Sequence, residues 1–295
     1  MAGSAQQIRD LLAEEQTINM PGVYDALTAR LATEAGFEVM FISGYSVSGS
    51  RLGLPDFGYL TQTEVTDAAR SVCSATDLPV IVDADTGYGN PLSAMRTARL
   101  LAGAGGAGIF LEDQQWPKKC GHFAGKQVVP AGEWLAKLRA VLDLRGQGVD
   151  LFLVARTDAR AAVSLDDAID RAKAARDLGV DAVFVEAPEG IGELERVAKE
   201  VEGVVRVANM IEGGRTPLLT PKELHDLGYD LIVTPLSAIF AAAKAVREAF
   251  AVLRREGTLR EHPELLLSFS EFEPVVDLAG HRALEERYRS SSSGE

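Results

Sequence analysis

Two pairs of acidic residues and one cysteine are the features of this chain most suited to chemistry. Val82-Asp83-Ala84-Asp85-Thr86-Gly87-Tyr88-Gly89 is an apolar run that ends in two carboxylates and a glycine-rich turn. Leu111-Glu112-Asp113-Gln114 ends a second run with two more acids, and Leu54-Pro55-Asp56 adds another in a loop. Residues two apart along an extended chain point the same way, so the spacing predicts that Asp83 and Asp85 aim at one point. Carboxylates so aimed repel unless a proton or a cation lies between them. Hard oxygen donors without a His/Cys cluster suit Mg²⁺, or Mn²⁺ in its place. Mg²⁺ usually keeps several waters, so Asp85 is expected as the direct ligand, with Asp83, Asp56 and Glu112 acting mostly through water. The plain alternative for each acid is a helix cap or a solvated turn.

Pro117-Lys118-Lys119-Cys120-Gly121-His122 carries the sharpest single signal. A free cysteine is most often a small buried hydrophobe, and Cys73 within Ser71-Val72-Cys73-Ser74 reads that way. Cys120 lies in a polar loop with basic neighbours, which lower a thiol pKa. A modest drop from about 8.5 brings it near operating pH, where a general acid is efficient. A nucleophile is the competing role. Zinc is poorly supported, since no second Cys or suitably spaced His accompanies it. His122 could orient this loop or stabilise an anionic product, or be an ordinary loop histidine.

Anion-binding groups stand elsewhere. Arg156 closes the apolar run Phe152-Leu153-Val154-Ala155 and offers a bidentate carboxylate clamp, unless it pairs with Asp158 or Glu186 instead. Asn209 and Glu212 sit in Asn209-Met210-Ile211-Glu212-Gly213-Gly214. Ser43-Gly44-Tyr45 presents hydroxyls and a glycine whose backbone can approach a ligand closely.

These residues need a scaffold that gathers strand ends. Short β-rich runs occur at 18–21, 39–43, 80–83, 108–111, 151–156, 182–186, 205–209 and 231–234. Amphipathic stretches follow nearly all of them, as at 25–34, 63–75, 91–103, 165–178 and 221–227. Eight strand-then-helix units predict an α/β fold, a single (β/α)₈ barrel over 1–295, rather than an open doubly wound sheet. The polar residues fall just after the strands, where barrel enzymes build their sites. The first strand lacks a glycine-rich phosphate turn. The polar segment 114–130 breaks the rhythm and reads as an active-site lid. A helical extension is expected over about 251–289, with a disordered tail at 290–295.

The bulk composition excludes several functions. Forty-three acidic residues against thirty basic ones leave a net charge of −13, which argues against a nucleic-acid partner. Two cysteines make no disulfide framework and suit a reducing compartment. The first fifteen residues lack the apolar core of a signal peptide, and no apolar run reaches the roughly 18 residues of a membrane span. A cytoplasmic location with no membrane partner is the expectation.

Together, Ser43-Gly44-Tyr45, Leu52-Gly53-Leu54-Pro55-Asp56, Asp83 to Gly89, Glu112-Asp113-Gln114, Lys118 to His122, Ala155-Arg156-Thr157-Asp158 and Asn209 to Gly214 resemble the isocitrate lyase/phosphoenolpyruvate mutase superfamily. The match runs in order from about Pro21 to the C-terminal helices and looks most like the branch of 2,3-dimethylmalate and methylisocitrate lyases. The resemblance implies Mg²⁺-dependent carbon–carbon cleavage of a small di- or tricarboxylate, a 2-alkylmalate or a methylisocitrate. The products would be a 2-oxo acid and a carboxylate. It implies a metal held chiefly by Asp85, and substrate held by Ser43, Gly44, Tyr45, Gly121, His122, Arg156, Asn209 and Glu212. Cys120 would be the acid, with Tyr45, His122, Arg156 and Glu112 as further catalytic groups. It also implies a homotetramer whose C-terminal helices are exchanged between subunits. A phosphonomutase, or a phosphonopyruvate or oxaloacetate hydrolase, is the alternative. Two positions depart from relatives. Pro235 stands where oxaloacetate acetylhydrolases carry a serine, and Phe41 where methylisocitrate lyases carry a tyrosine.

Overall fold

A computed structural model describes residues 3–14, 17–119 and 125–291. Its frame is eight parallel strands: β1 (Ile18–Val23), β2 (Met40–Ile42), β3 (Val80–Asp83), β4 (Gly108–Glu112), β5 (Phe152–Thr157), β6 (Ala182–Val185), β7 (Val205–Asn209) and β8 (Leu231–Thr234). They follow one another around a closed barrel, and β8 returns to β1 with Ile18 opposite Leu231 and Pro21 opposite Thr234. The closed (β/α)₈ barrel is the fold expected from the alternation, with strand ends shifted by one or two residues.

The strands are buried on both faces, as parallel strands covered by helices must be. Alternate residues separate into two clusters. Met20, Phe41, Ile81, Phe110, Val154, Phe184, Val207 and Val233 fill the barrel interior. Ile42, Val82, Ile109, Leu111, Leu153, Ala155 and Val185 pack outward with the surrounding helices. The helix Ala5–Ala13, started by a Ser4–Gln7 capping box, adds Ala5 and Ile8 to the interior cluster. Gly22 is required where β1 passes β8, because a Cβ there would lie 2.1 Å from the Pro235 carbonyl oxygen.

Two further helices, Ala131–Leu142 and Ile191–Glu200, cover the barrel. Neither begins with a side-chain cap, since Pro130 and Gly190 occupy those positions. Helices with capping residues were legible. Asp25 caps Ala26–Glu34, Thr61 caps Gln62–Cys73 and Thr220 caps Pro221–Leu227.

The chain packs as two compact units, Met1–Ala238 and Ile239–Glu295. The second contains most of the helix Ser237–Glu256, which begins well before position 251, and the helices Phe269–Val275 and Leu278–Ser291. Val252 and Val275 are buried, whereas Phe250 is 65% and Phe269 90% exposed. Among the described residues no helix is long and apolar enough to cross a membrane.

Candidate active site

The period-two pattern of the strands builds the site. Six of the eight inward-facing apolar residues are followed two positions later by a polar one: Phe41 by Ser43, Ile81 by Asp83, Phe110 by Glu112, Val154 by Arg156, Phe184 by Glu186 and Val207 by Asn209. An aromatic floor, with Phe41 and Phe184 flanking Phe110 at centroid distances of 4.7 and 5.7 Å, therefore lies under a polar layer. Ser43, Tyr45, Asp56, Asp83, Arg156, Glu186 and Asn209 line the cavity above it. Ile211, Leu236, Val233 and Pro235 supply an apolar flank.

One side of the mouth is acidic. β3 ends at Asp83, and the chain then turns, with Asp85 in the left-handed region at φ +48°. The two carboxylates thus meet through a turn, and not along an extended chain as the spacing suggested. Left-handed backbone at a non-glycine residue costs free energy and is concentrated at functional sites. Asp83 is held by backbone, accepting from the N–H of Asp85 at 3.1 Å and of Gly44 at 3.3 Å. A Cβ on Gly44 would lie 3.0 Å from Asp83 Oδ2, so this approach needs glycine. Asp85 Oδ2 accepts from the Tyr88 hydroxyl at 3.0 Å. Lys118 Nζ stands 2.7 Å from Asp85 Oδ1 and 2.7 Å from Asp56 Oδ1. The contact with Asp85 Oδ1 is close but not aligned as a hydrogen bond, so that oxygen is buried without one, as is Glu112 Oε1. Burial pushes the Asp85 carboxyl up to about 6; Lys118 pulls it down, and Asp83 and Asp56 push it further up. Burial likewise holds Glu112 well above the usual carboxylate range, against the pull of Arg156.

The other side is charge-balanced. Arg156 donates from Nε to Asp158 at 2.9 Å, and lies 3.2 Å from Glu112 and 3.3 Å from Glu186. Its guanidinium also rests 5.5 Å from the Phe184 ring centroid. These bonds use Nε and Nη2; among the described residues none is made by Nη1. Lys126 Nζ reaches Asp158 at 2.6 Å. Burial would raise the Asp158 pKa, but Arg156 and Lys126 hold it well below the usual range. Beneath this, Asp113 accepts from Thr157 Oγ1 at 2.6 Å and from the Asp158 N–H at 2.8 Å, and Arg171 lies 3.2 Å away. Asn209 donates to Glu186, and among the described residues its buried Oδ1 has no hydrogen-bond partner.

Of the residues singled out in the sequence, Ser43, Tyr45, Asp56, Asp83, Arg156 and Asn209 line one cavity. Asp85 and Glu112 are buried beside it, 1% exposed each. Glu212 is exposed and accepts from Ser237 Oγ at 2.7 Å; Glu186 is the carboxylate that lines the cavity on that flank. Cys120, Gly121 and His122 lie outside the described residues. The lysines around them are already engaged, Lys118 by Asp56 and Asp85 and Lys126 by Asp158, while Lys119 donates to the Gly125 carbonyl. Lys118, Lys126 and Asp113 were not singled out as site residues, because their partners are distant in sequence; the pairing of Arg156 with Asp158 was one of the two readings its sequence allowed. Glu186 was within reach, since it continues the inward period of Ala182 and Phe184.

The chemistry of the acids fits a divalent cation. Glu112 Oε1, buried without a hydrogen bond among the described residues, and Asp85 Oδ1, held by the Lys118 ammonium alone, belong to an all-oxygen set of the kind a hard cation satisfies. Among the described residues no three Asp, Glu, His or Cys side chains form a ready cage. The set suits an ion that keeps several waters and takes few direct protein ligands.

Residues 8–254 match the family described as phosphoenolpyruvate phosphomutase. The chain is 50% identical over 282 residues to the chloroplastic carboxyvinyl-carboxyphosphonate phosphorylmutase of Arabidopsis thaliana, covering 94% of this chain and 83% of that protein. It is 40% identical over 285 residues to 2,3-dimethylmalate lyase of Eubacterium barkeri, covering 97% and 98%. A crystal structure of 2,3-dimethylmalate lyase superposes with a TM-score of 0.92 at 31% identity, over 98% of this chain and 96% of that one. Phosphonopyruvate hydrolase, solved with oxalate and Mg²⁺, superposes with a TM-score of 0.86 at 28% identity, over 97% and 99%. By the extent of these matches, and by a barrel built on the same plan, this chain belongs to the phosphoenolpyruvate mutase/isocitrate lyase superfamily.

Proposed function

We propose that this chain is a Mg²⁺-dependent lyase that cleaves the C2–C3 bond of a 2-hydroxydicarboxylate of the 2-alkylmalate or methylisocitrate type, with Mn²⁺ able to replace Mg²⁺. The observation that carries the reading is the asymmetry of the mouth. Asp56 and Asp83 line the cavity, with Asp85 and Glu112 buried beside it, and Arg156 and Asn209 stand on the other side. Asp85 would hold the cation, with Asp83, Asp56 and Glu112 around it. When bound, the cation would supply Lewis-acid polarisation of the 2-hydroxy acid end.

The protein's own groups account for the remaining steps. Arg156 and the Gly44 region bind the carboxylate at that end. A base, with Tyr45 as the side-chain candidate, takes the C2 hydroxyl proton. The C2–C3 electron pair moves onto the C3 fragment, which becomes an aci-anion as the 2-oxo acid forms. Asn209, Glu212 and His122 are proposed to orient that anion. Cys120 gives its thiol proton to C3, which completes the carboxylate product. The role of Cys120 rests on its sequence context. The apolar flank of Ile211, Leu236 and Pro235 suits an alkyl substituent.

The reading is tested by incubating the purified chain and Mg²⁺ with malate, alkylmalates, methylisocitrate, oxaloacetate and phosphonopyruvate, coupled to lactate dehydrogenase. Release of a 2-oxo acid from at least one 2-alkylmalate or methylisocitrate is expected. Cys120→Ser is expected to abolish turnover while substrate still binds; full activity in that variant removes the acid role. A phosphonomutase reading has its support in the name of the 50% identical relative. Turnover of phosphonates alone would establish that reading instead.

A homotetramer with exchanged C-terminal helices is proposed as the assembly. The exposed apolar side chains of the second unit, among them Phe250, Leu266, Leu267 and Phe269, support it. Light scattering on the purified chain distinguishes a tetramer from a monomer.

A further inference from the structure

Tyr88 holds a backbone conformation that a bulky side chain rarely adopts, the left-handed region at φ +58°. Asp85, three residues earlier, lies there too at φ +48°. Such strain persists only where the surroundings over-determine it, and it gathers at functional sites. Here the turn is gripped by its carbonyls. The Asp85 carbonyl accepts from the Glu112 N–H at 2.9 Å, that of Thr86 from Lys137 Nζ at 3.2 Å and that of Gly87 from Thr97 Oγ1 at 3.1 Å. The turn brings the Tyr88 side chain back to Asp85, where its hydroxyl donates to Oδ2 at 3.0 Å. Trp116 packs against the Tyr88 ring, with centroids 6.0 Å apart. Two residues beyond Trp116, Lys118 Nζ stands 2.7 Å from the other oxygen of Asp85.

The two groups on Asp85 act differently. Lys118 brings a positive charge through a contact that is not aligned as a hydrogen bond. The Tyr88 hydroxyl is aligned, and a phenol with an ordinary pKa of about 10 is uncharged at neutral pH. A neutral donor fixes the direction of a carboxylate without cancelling its charge. A carboxylate already fixed loses less rotamer freedom when a ligand binds, and hydrogen bonds to metal-ligating carboxylates raise metal affinity in this way. We propose that Tyr88 is a positioning residue for the divalent-ion site, and that its hydroxyl orients the Asp85 carboxylate before the ion arrives. The proposal rests on the assignment of the ion to Asp85. Tyr88 acts through that side chain, and no contact with substrate is claimed for it.

The test is Mn²⁺ binding to the full chain without substrate, followed by calorimetry and by the electron paramagnetic resonance of free and bound Mn²⁺. The wild type is compared with Tyr88→Phe and Asp85→Asn. Tyr88→Phe keeps the ring against Trp116 and removes only the hydroxyl. It is expected to bind Mn²⁺ roughly tenfold more weakly than wild type. The signal of its bound Mn²⁺ should broaden, because Asp85 then takes more than one orientation. Wild-type affinity in Tyr88→Phe, with Asp85→Asn binding clearly impaired, overturns the positioning role and leaves the metal site standing. Weaker binding with an unchanged bound-Mn²⁺ signal assigns the loss to the fold, which also overturns it. Unchanged binding in Asp85→Asn places the ion elsewhere, which overturns the site and the positioning role together. A second variant carries para-aminophenylalanine at position 88, installed by stop-codon suppression. Its amino group restores a neutral donor on the same ring and should recover most of the lost affinity. Binding as weak as in Tyr88→Phe overturns the role of the hydroxyl as a donor.

Discussion

The two sides of the barrel mouth use the same residue types to opposite ends. Around Asp85, carboxylates outnumber cations, buried oxygens lack hydrogen bonds, and the central acid is pushed up to about 6 by burial. Around Asp158, Arg156 and Lys126 converge on one carboxylate that is held well below the usual range. Burying an ionised group is costly unless it is paired and hydrogen-bonded. The Asp158 side meets that demand internally, and so acts as a rigid mount for Arg156. The Asp85 side does not, and stays open to a ligand that brings positive charge. Perturbed groups gather at functional sites for this reason, and the balanced network beside them shows that burial alone is not the signal.

The sharpest way to break the comparison is to neutralise each centre in turn. Asp85→Asn is expected to lower kcat/KM by roughly 10³-fold, since the Lewis-acid contribution is worth several kcal/mol. The same change should stabilise the metal-free protein by about 1–2 kcal/mol at pH 7.5, because it removes a buried charge that pairing does not offset. Asp158→Asn should do the reverse. It leaves Arg156 and Lys126 facing a neutral amide, and a loss of roughly 3–5 kcal/mol is expected in urea melts. If both variants shift stability in the same direction, the distinction between an open and a balanced side fails.

A smaller effect is read with pH, and a raised carboxyl on each side contributes to it. The folded-state pKa of Asp85 is raised to about 6 from 3.8, and burial raises Asp113 to about 6 in the same way. A carboxyl raised on folding binds its proton more readily in the native state, so stability increases as pH falls toward the folded pKa. Asp158 is depressed instead, and its contribution is lost only below the unfolded value of 3.8. Between pH 7.5 and 5.5 the raised groups therefore decide the sign. The metal-free protein, melted in EDTA, should gain about 1–2 kcal/mol on acidification across that window. Saturating Mg²⁺ should reduce or reverse the gain, because protonation of Asp85 then competes with the ion.

Most of the frame was legible in the sequence, and the exceptions have physical causes. The period-two strands and the capped helices announce themselves locally, and the barrel follows from their alternation. The inward polar layer is equally local, since Ser43, Asp83, Glu112, Arg156, Glu186 and Asn209 each stand two residues after an inward apolar side chain. What failed was geometry that depends on turns and on closure. Asp83 and Asp85 converge because Asp85 turns into the left-handed region, which no spacing rule for an extended chain contains. Lys118 meets an aspartate 62 residues away, and Lys126 one 32 residues away. Such pairings exist only once β2 to β5 stand side by side.

The smallest expected effect tests the floor that both sides share. Phe41 is 4% exposed, stacks on Phe110 at 4.7 Å and lines the cavity, two residues before Ser43. A tyrosine here would carry a hydroxyl into a site where buried polar atoms need partners. Glu186 and the unpartnered Asn209 Oδ1 line the same cavity, so an acceptor is available to it. Phe41→Tyr is therefore expected to change stability by less than about 1 kcal/mol. Its effect should fall on substrate choice, since a small change in one pocket wall discriminates by about 1–3 kcal/mol. The ratio of kcat/KM for methylisocitrate to that for a 2-alkylmalate should rise, by roughly tenfold or less. An unchanged ratio would mean that the aromatic floor only supports the polar layer, and that selectivity lies with Ile211, Leu236 and Pro235 on the flank.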